Sequence, residues 1–305
     1  MTKSAFTGPL ISYGQRLPLG NAGPTNQDLA PSIMWGGVGL LDPRLGYNLT
    51  RRGVLGFTGC TTIPVIDAVP SAISAVNIAA SQSPGAGAIT LVSSSGAGVT
   101  VLAAATTVWP SGTVIPANTL ALDGAPGLTA WGTADSSSGY TTVSTYDPTK
   151  ALSRNVRLTS GGNDSGITFT VSGYDLYGYA MTETITGANA GVASGAKAFK
   201  FITGITHTGS VATTLTVGTG DVFGFPVRVD TIGYVSMAYN ASLVTANTGF
   251  TAAVTTSPAT STTGDVRGTY ALQSASDASK RLQVFITPSA ANLGSTTGLF
   301  GVTQA

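Results

Sequence analysis

The sequence is poor in charge, histidine, cysteine and glutamate. Its 305 residues include 14 Lys and Arg and 13 Asp and Glu, so 9% are charged, against roughly 25% in ordinary soluble domains. A single cysteine, Cys60, excludes an intrachain disulfide and a cysteine-cluster metal site. A single histidine, His207, excludes zinc or iron ligation by a histidine pair within one chain. Glu183 is the sole glutamate, so an acid/base pair of carboxylates would have to come from aspartates. The net charge of +1 argues against an electrostatic footprint for nucleic acid or an anionic membrane, so neither is expected as a partner. Long apolar runs are missing too. The longest weakly polar stretch, Val99 to Trp109, is interrupted by Thr100, Thr106 and Thr107 and falls well short of the ~20 residues that span a bilayer. The start, MTKSAFTGPLISYG, has no apolar core or small-residue cleavage pattern, so no secretory leader is expected.

What is present is unevenly distributed. Residues 1–60 hold 11 Gly and 5 Pro, a density that disfavours regular secondary structure. The same stretch carries Phe6, Tyr13, Trp35, Leu40, Leu41 and Tyr47, large apolar groups that a solvated tail does not need. It reads as an extended arm whose anchors bury against the protein's own body or a neighbouring subunit. The lack of any periodicity that would let it pack on itself favours the neighbour. The arm is also the most basic part: Lys3, Arg16, Arg44, Arg51 and Arg52 against Asp28 and Asp42, 5 − 2 = +3.

From Gly53 to Thr149 there is no Lys or Arg. Short Val, Ile, Thr and Leu runs (AITLV, GVTVLAA, TVIPANTLAL) alternate with Gly, Ser, Pro and Asn clusters, the mark of an all-β sandwich or barrel. One short helix is permitted at SAISAVNIAAS, residues 71–81. Beyond Tyr146-Asp147-Pro148, a turn signal that sets a soft boundary near 150, the strands become clearer. Ile167, Phe169 and Val171 alternate with threonines in a half-buried strand. Gly173-Tyr174-Asp175-Leu176-Tyr177-Gly178 supplies a turn, and AMTETIT returns as a second strand of a hairpin. Further strands are expected over 198–202, 213–217, 223–229, 234–239, 268–272 and 281–287. The expected fold class is therefore all-β, with an arm (1–60), a β-rich region without Lys or Arg (61–149) and a β-sandwich-like domain (150–305).

The run SGGNDSGITFTVSGYDLYGYAMTETITGANAG, residues 160–191, resembles a β-domain of tailed-bacteriophage virion proteins. Gly-Gly-Asn-Asp-Ser-Gly at 161–166, the ITFTV strand, the D-x-x-G turn and the T-E-T-I-T-G strand carry the resemblance. KAFKFIT, TVGTGDVFGFPVRV and GDVRGTYAL extend it over residues 150–305, where the chain looks most like a capsid decoration, or cement, protein. The resemblance implies a structural protein of the virion, assembled in the bacterial cytoplasm and exposed on the particle. Its implied partners are the major capsid protein and copies of itself, by analogy a homotrimer, with no catalytic residues to carry over. A tail or fibre protein that binds a receptor glycan is the alternative, and a polysaccharide depolymerase a third.

Candidate sites are few. His207 lacks a nucleophile-elbow context and reads as structural, and Cys60 as a small buried residue. Asp164, Asp175, Asp221, Asp265 and Asp277 lie beside Gly, Ser or Asn, where an aspartate bonds its own turn. Tyr174, Asp175 and Tyr177 at the hairpin turn are candidates for glycan contact. Gly85-Ala86-Gly87 and Gly96-Ala97-Gly98 are not phosphate loops, because no Gly-Lys-Ser/Thr follows. No enzyme, metal or cofactor is expected.

Overall fold

The computed structural model describes residues 63–108, 111–124, 128–131, 143–146, 148–232, 235–244, 248–256, 264–286 and 304. The six proposed arm anchors, Phe6, Tyr13, Trp35, Leu40, Leu41 and Tyr47, and also Cys60, lie outside the described residues. The chain divides into two units, Met1–Pro64 with Phe285–Ala290, and Val65–Val284 with Ala291–Ala305; nearly all described residues belong to the latter.

The described elements are strands, apart from one 3-10 turn at Pro148–Lys150. In chain order they are β1 (Ile63–Ala68), β2 (Ala79–Gln82), β3 (Gly87–Ala88), β4 (Val99–Val101), β5 (Thr106–Val108), β6 (Thr113–Ile115), β7 (Leu120–Leu122), β8 (Leu128–Trp131) and β9 (Val143–Tyr146). After the 3-10 turn come β10 (Arg154–Ser160), β11 (Thr168–Tyr174), β12 (Ala180–Thr186), β13 (Val192–Ser194), β14 (Phe201–His207), β15 (Leu215–Gly224) and β16 (Val235–Tyr239). The last are β17 (Ser242–Val244), β18 (Phe250–Thr251), β19 (Thr269–Ala271) and β20 (Leu282–Ile286). The protein is all-β.

Two six-stranded antiparallel sheets dominate. One runs β13-β10-β15-β19-β18 with β2 also on β15; the other runs β12-β11-β14-β7-β4 with β3 also on β14. A four-stranded sheet, β1-β20-β16-β17, and two hairpins, β5-β6 and β8-β9, complete the set. One apolar cluster joins Val156, Leu158, Leu215 and Val217 of the first large sheet to Phe169, Val171, Met181, Ile185, Ile202 and Ile205 of the second, the arrangement of a sandwich closed over its inner faces. Ile78, Leu120 and Leu122 join the same cluster, so residues on both sides of position 150 contribute to it.

The period-2 reading of the hairpin holds. Phe169 and Val171 alternate with partly exposed Thr168, Thr170 and Ser172, and on β12 Met181, Glu183 and Ile185 are buried between exposed neighbours. β11 and β12 pair in unbroken register from Thr168↔Thr186 to Tyr174↔Ala180. On its other side β11 shifts register between Ser172 and Gly173. A Cβ on Gly173 would lie 1.9 Å from the carbonyl oxygen of Phe201, so only glycine allows that approach.

Three expectations are corrected in detail. Residues 71–81 form no helix. Ile78 N–H donates to Val217 O at 3.0 Å and Ala79–Gln82 becomes β2. Ser74 and Asn77 bond backbone groups in place of helical partners: Val76 N–H donates to Ser74 Oγ and Thr219 N–H to Asn77 Oδ1, the competition that makes such residues poor in helix interiors. The strand expected over 223–229 ends at Gly224, two residues before Pro226, which has no N–H to continue a ladder. The strand expected over 198–202 starts only at Phe201, because Phe199 exchanges both backbone bonds with Arg154, on a different sheet from Phe201.

Candidate functional site

The residues with the most pronounced chemistry are mostly buried. Arg154, Asp164, Asp175, Glu183, Lys197, Lys200, Arg228, Asp265 and Arg267 are buried, whereas Lys150, Asp277 and Arg281 are exposed. Charged groups are rarely buried without partners, so each position demands an account of what holds it.

Arg154, at the start of β10, is fully buried and uses all five of its N–H donors. Nε donates to Gly220 O (2.8 Å), Nη1 to Ser71 O (2.8 Å) and Asp123 Oδ2 (3.3 Å), and Nη2 to Asp221 Oδ1 (2.8 Å) and Ser276 Oγ (3.0 Å). The guanidinium also lies 4.9 Å from the centre of the Phe223 ring. Three loops and strand β15 thus converge on one planar cation, a geometry that arginine's rigid fork supplies and lysine's does not. The carboxylates return the bonding: Ser71 N–H donates to Asp123 Oδ1 and Ser276 N–H to Asp221 Oδ2.

The candidate glycan loop is a second such hub. Asp175 Oδ1 accepts the N–H groups of Tyr177 (2.8 Å) and Tyr179 (2.9 Å), which builds the turn, while Oδ2 lies 3.0 Å from Arg267 Nη2. Burial pushes the Asp175 carboxyl above the usual range, opposed chiefly by Arg267. Tyr177 is buried, donates its hydroxyl to Pro226 O at 2.5 Å and lies under the Arg267 guanidinium. Burial raises its phenol as well. Asp175 and Tyr177 are therefore interior supports and not glycan contacts: the polar atoms that a sugar would need are occupied or turned inward. Tyr174 is partly buried against Leu102, Val108, Ile115, Ala121 and Phe201. Tyr179, 45% exposed, is the aromatic this turn presents to solvent.

Glu183 and the two lysines of KAFKF complete the set. Glu183 Oε2 accepts Ala196 N–H at 2.5 Å and Oε1 accepts Lys197 N–H at 3.1 Å, pinning the loop between β13 and β14. Burial pushes its carboxyl up to about 7 despite those N–H groups. Lys197 Nζ donates to Thr182 O at 2.8 Å, and burial lowers its ammonium. Lys200 Nζ sits among three carbonyl oxygens, Leu122 (2.8 Å), Leu152 (3.0 Å) and Asp123 (3.5 Å). Burial lowers its ammonium to about 8.

The remaining candidates have structural partners. His207 is buried, stacks on Phe169 with ring centres 5.5 Å apart, and places Nδ1 2.8 Å from Gly209 O. Asp265 and Asp277 bond backbone N–H groups two residues ahead, as their turn settings imply. Asp164 instead reaches across the fold to Ala212 N–H, and Asp221 to Arg154. Among the described residues no group of three His, Cys, Asp or Glu side chains could hold a metal ion, and no helix is long and apolar enough to cross a membrane.

Arg154, Glu183, Lys200 and Arg267 escape a motif-based reading. For Glu183 a signal exists: it shares the parity of Met181 and Ile185 in AMTETIT, so the alternation that buries those two buries it also. Arg154 carries no such signal, since its partners lie 31 to 122 residues away in the chain, and for Arg267 the nearby Asp265 does not reveal the Phe225 and Asp175 partners, 42 and 92 residues away. No family model, curated protein or solved structure matches this chain.

Proposed function

We propose that this chain is a non-enzymatic structural protein of a tailed-bacteriophage virion, which decorates the capsid and cements adjacent capsid subunits as a homotrimer. The observation that carries the reading is the inversion of charge: the cations and carboxylates of the body bind its own loops, and the described exterior is mostly Thr, Ser, Gly and Ala. A nearly uncharged exterior loses little when desolvated at broad contacts, whereas charged groups are depleted from interface cores because stripping their water is costly. The phage-like segments over 150–305 support the virion assignment. The apolar anchors of residues 1–60 supply the means to grip a neighbour.

Copy number in purified particles tests this reading. Hundreds of copies, counted by quantitative gel or particle imaging, are expected; about a dozen would refute capsid decoration and favour a tail or fibre position. Deleting residues 1–50 should abolish particle binding while leaving the β-body folded, and a truncated chain that still coats capsids would refute the role of the arm.

A further inference from the structure

A groove of about 220 Å³ lies at the tip of the β16–β17 hairpin. The hairpin turns through Asn240 and Ala241, with φ of 55° and 61°, a two-residue left-handed turn that fixes the strands' twist. Asn240 N–H is anchored to Arg281 O at 3.0 Å. Tyr239 and Tyr270, both largely buried, and Leu272 give the groove an apolar side, and Leu243 stands at its rim, 64% exposed. Around these lie exposed amide and hydroxyl groups from Asn240, Ser242, Gln273 and Ser274. Among the described residues of the lining the single cation, Lys280, is ion-paired with Asp277.

We propose that this groove binds a neutral saccharide. Apolar surface beside amides and hydroxyls matches a sugar ring, which has a C–H face and an equatorial belt of hydroxyls. The paired Lys280 leaves no free charge to select an acidic ligand. The volume lies below the ~300–1,000 Å³ of drug-sized sites, so it suits one or two sugar rings. A peptide adding to the sheet edge fits less well, because β17 is three residues long and strand addition draws its affinity from a ladder of main-chain bonds. The groove is remote in sequence from the 173–179 turn, whose Asp175 and Tyr177 are committed to the interior. The proposal stands apart from capsid decoration and neither depends on the other.

The test is chemical-shift mapping on the full-length isotope-labelled protein with cellotriose and chitotriose as neutral probes, and sialyllactose as a charged one. With a dissociation constant near 1 mM, shifts should saturate by about 50 mM probe. They should cluster on the amides of Asn240, Leu243 and Gln273 and survive about 0.5 M salt, which screens ionic contacts. Ser242→Trp, which fills the groove from an exposed position, should abolish them, while Val114→Trp, on the exposed face of β6, should leave them intact. Circular dichroism and thermal melts establish that both variants are folded. No shifts with either neutral probe, shifts centred elsewhere, tighter salt-sensitive binding of sialyllactose, or displacement of the probe by an extended peptide would each overturn the proposal.

Discussion

Glu183 makes the protein's stability depend on pH in an unusual direction. Most acid-sensitive proteins lose stability as carboxylates protonate, because folding lowers their pKa. Here burial raises the Glu183 carboxyl from 4.5 to about 7. Between those values the folded state holds a proton that the unfolded state has released. The slope of unfolding free energy with pH is then negative: stability from this group is fully present below pH 4.5 and is lost as pH rises through about 7. A difference of roughly two to three pKa units corresponds to about 3 kcal/mol, at 1.36 kcal/mol per unit. That is a large share of a typical ~5–15 kcal/mol. Asp175, whose carboxyl is also raised by burial, acts in the same direction, so Glu183 must be isolated by comparison. Glu183→Gln removes its titration while keeping its shape, although the amide nitrogen must face one of the two N–H groups of Ala196 and Lys197. Urea unfolding of both proteins from pH 4.5 to 8 should show the wild type losing about 3 kcal/mol more than the variant across that interval, with equal m-values. Parallel profiles, or a wild type that gains stability relative to the variant towards pH 7, would refute the assignment of Glu183 as a carboxyl held neutral by burial.

Two further substitutions probe the other hubs. Arg154→Met removes five hydrogen bonds and leaves Asp123 and Asp221 without their cation; breaking a buried pair in this way costs about 3–5 kcal/mol, read as a fall in urea midpoint. Lys200→Met leaves the carbonyls of Leu122 and Leu152 without the ammonium and should cost about 1–3 kcal/mol at pH 7. Because the folded ammonium is lowered to about 8 from 10.5, the folded state binds fewer protons than the unfolded state between those values. The wild type should therefore gain stability between pH 8 and 9.5, and the variant should lack that gain.

The fold class was legible because it rests on local pattern. Alternation in ITFTV and AMTETIT places each side chain on its face without knowledge of any partner, and the Asp175 to Gly178 turn follows from residues that tolerate it. What failed was whatever depended on a distant segment. Residues 71–81 have helix-compatible composition, but Gly218, on β15, approaches Ser74 so closely that a Cβ there would lie 2.0 Å from its carbonyl oxygen. That contact spans more than 140 residues and leaves no local trace. Two of the glycan candidates, Asp175 and Tyr177, turn out to be buried for a related reason. Three tyrosines around an aspartate resemble an exposed binding loop until Arg267, far along the chain, is placed over Tyr177 and beside Asp175.

The low charge takes on a different meaning once the positions are known. A protein that needed its few charges for solubility would place them in water, where each ion keeps its hydration. In this body they are largely withdrawn, and three of the buried cations tie distant segments together: Arg154 joins three loops to β15, Arg267 holds the Asp175 turn to the Phe225 carbonyl, and Lys200 joins the end of β7 to the segment before β10. A misplaced loop would leave one of these buried charges unpaired, at a cost of several kcal/mol. The exterior that remains, rich in hydroxyls and small side chains, has little charge of one sign to repel a second copy and little to lose on being covered. Within the proposed virion role the two halves of that distribution serve one end, a rigid body whose surface geometry is set internally and whose outer face meets its neighbours at low electrostatic cost.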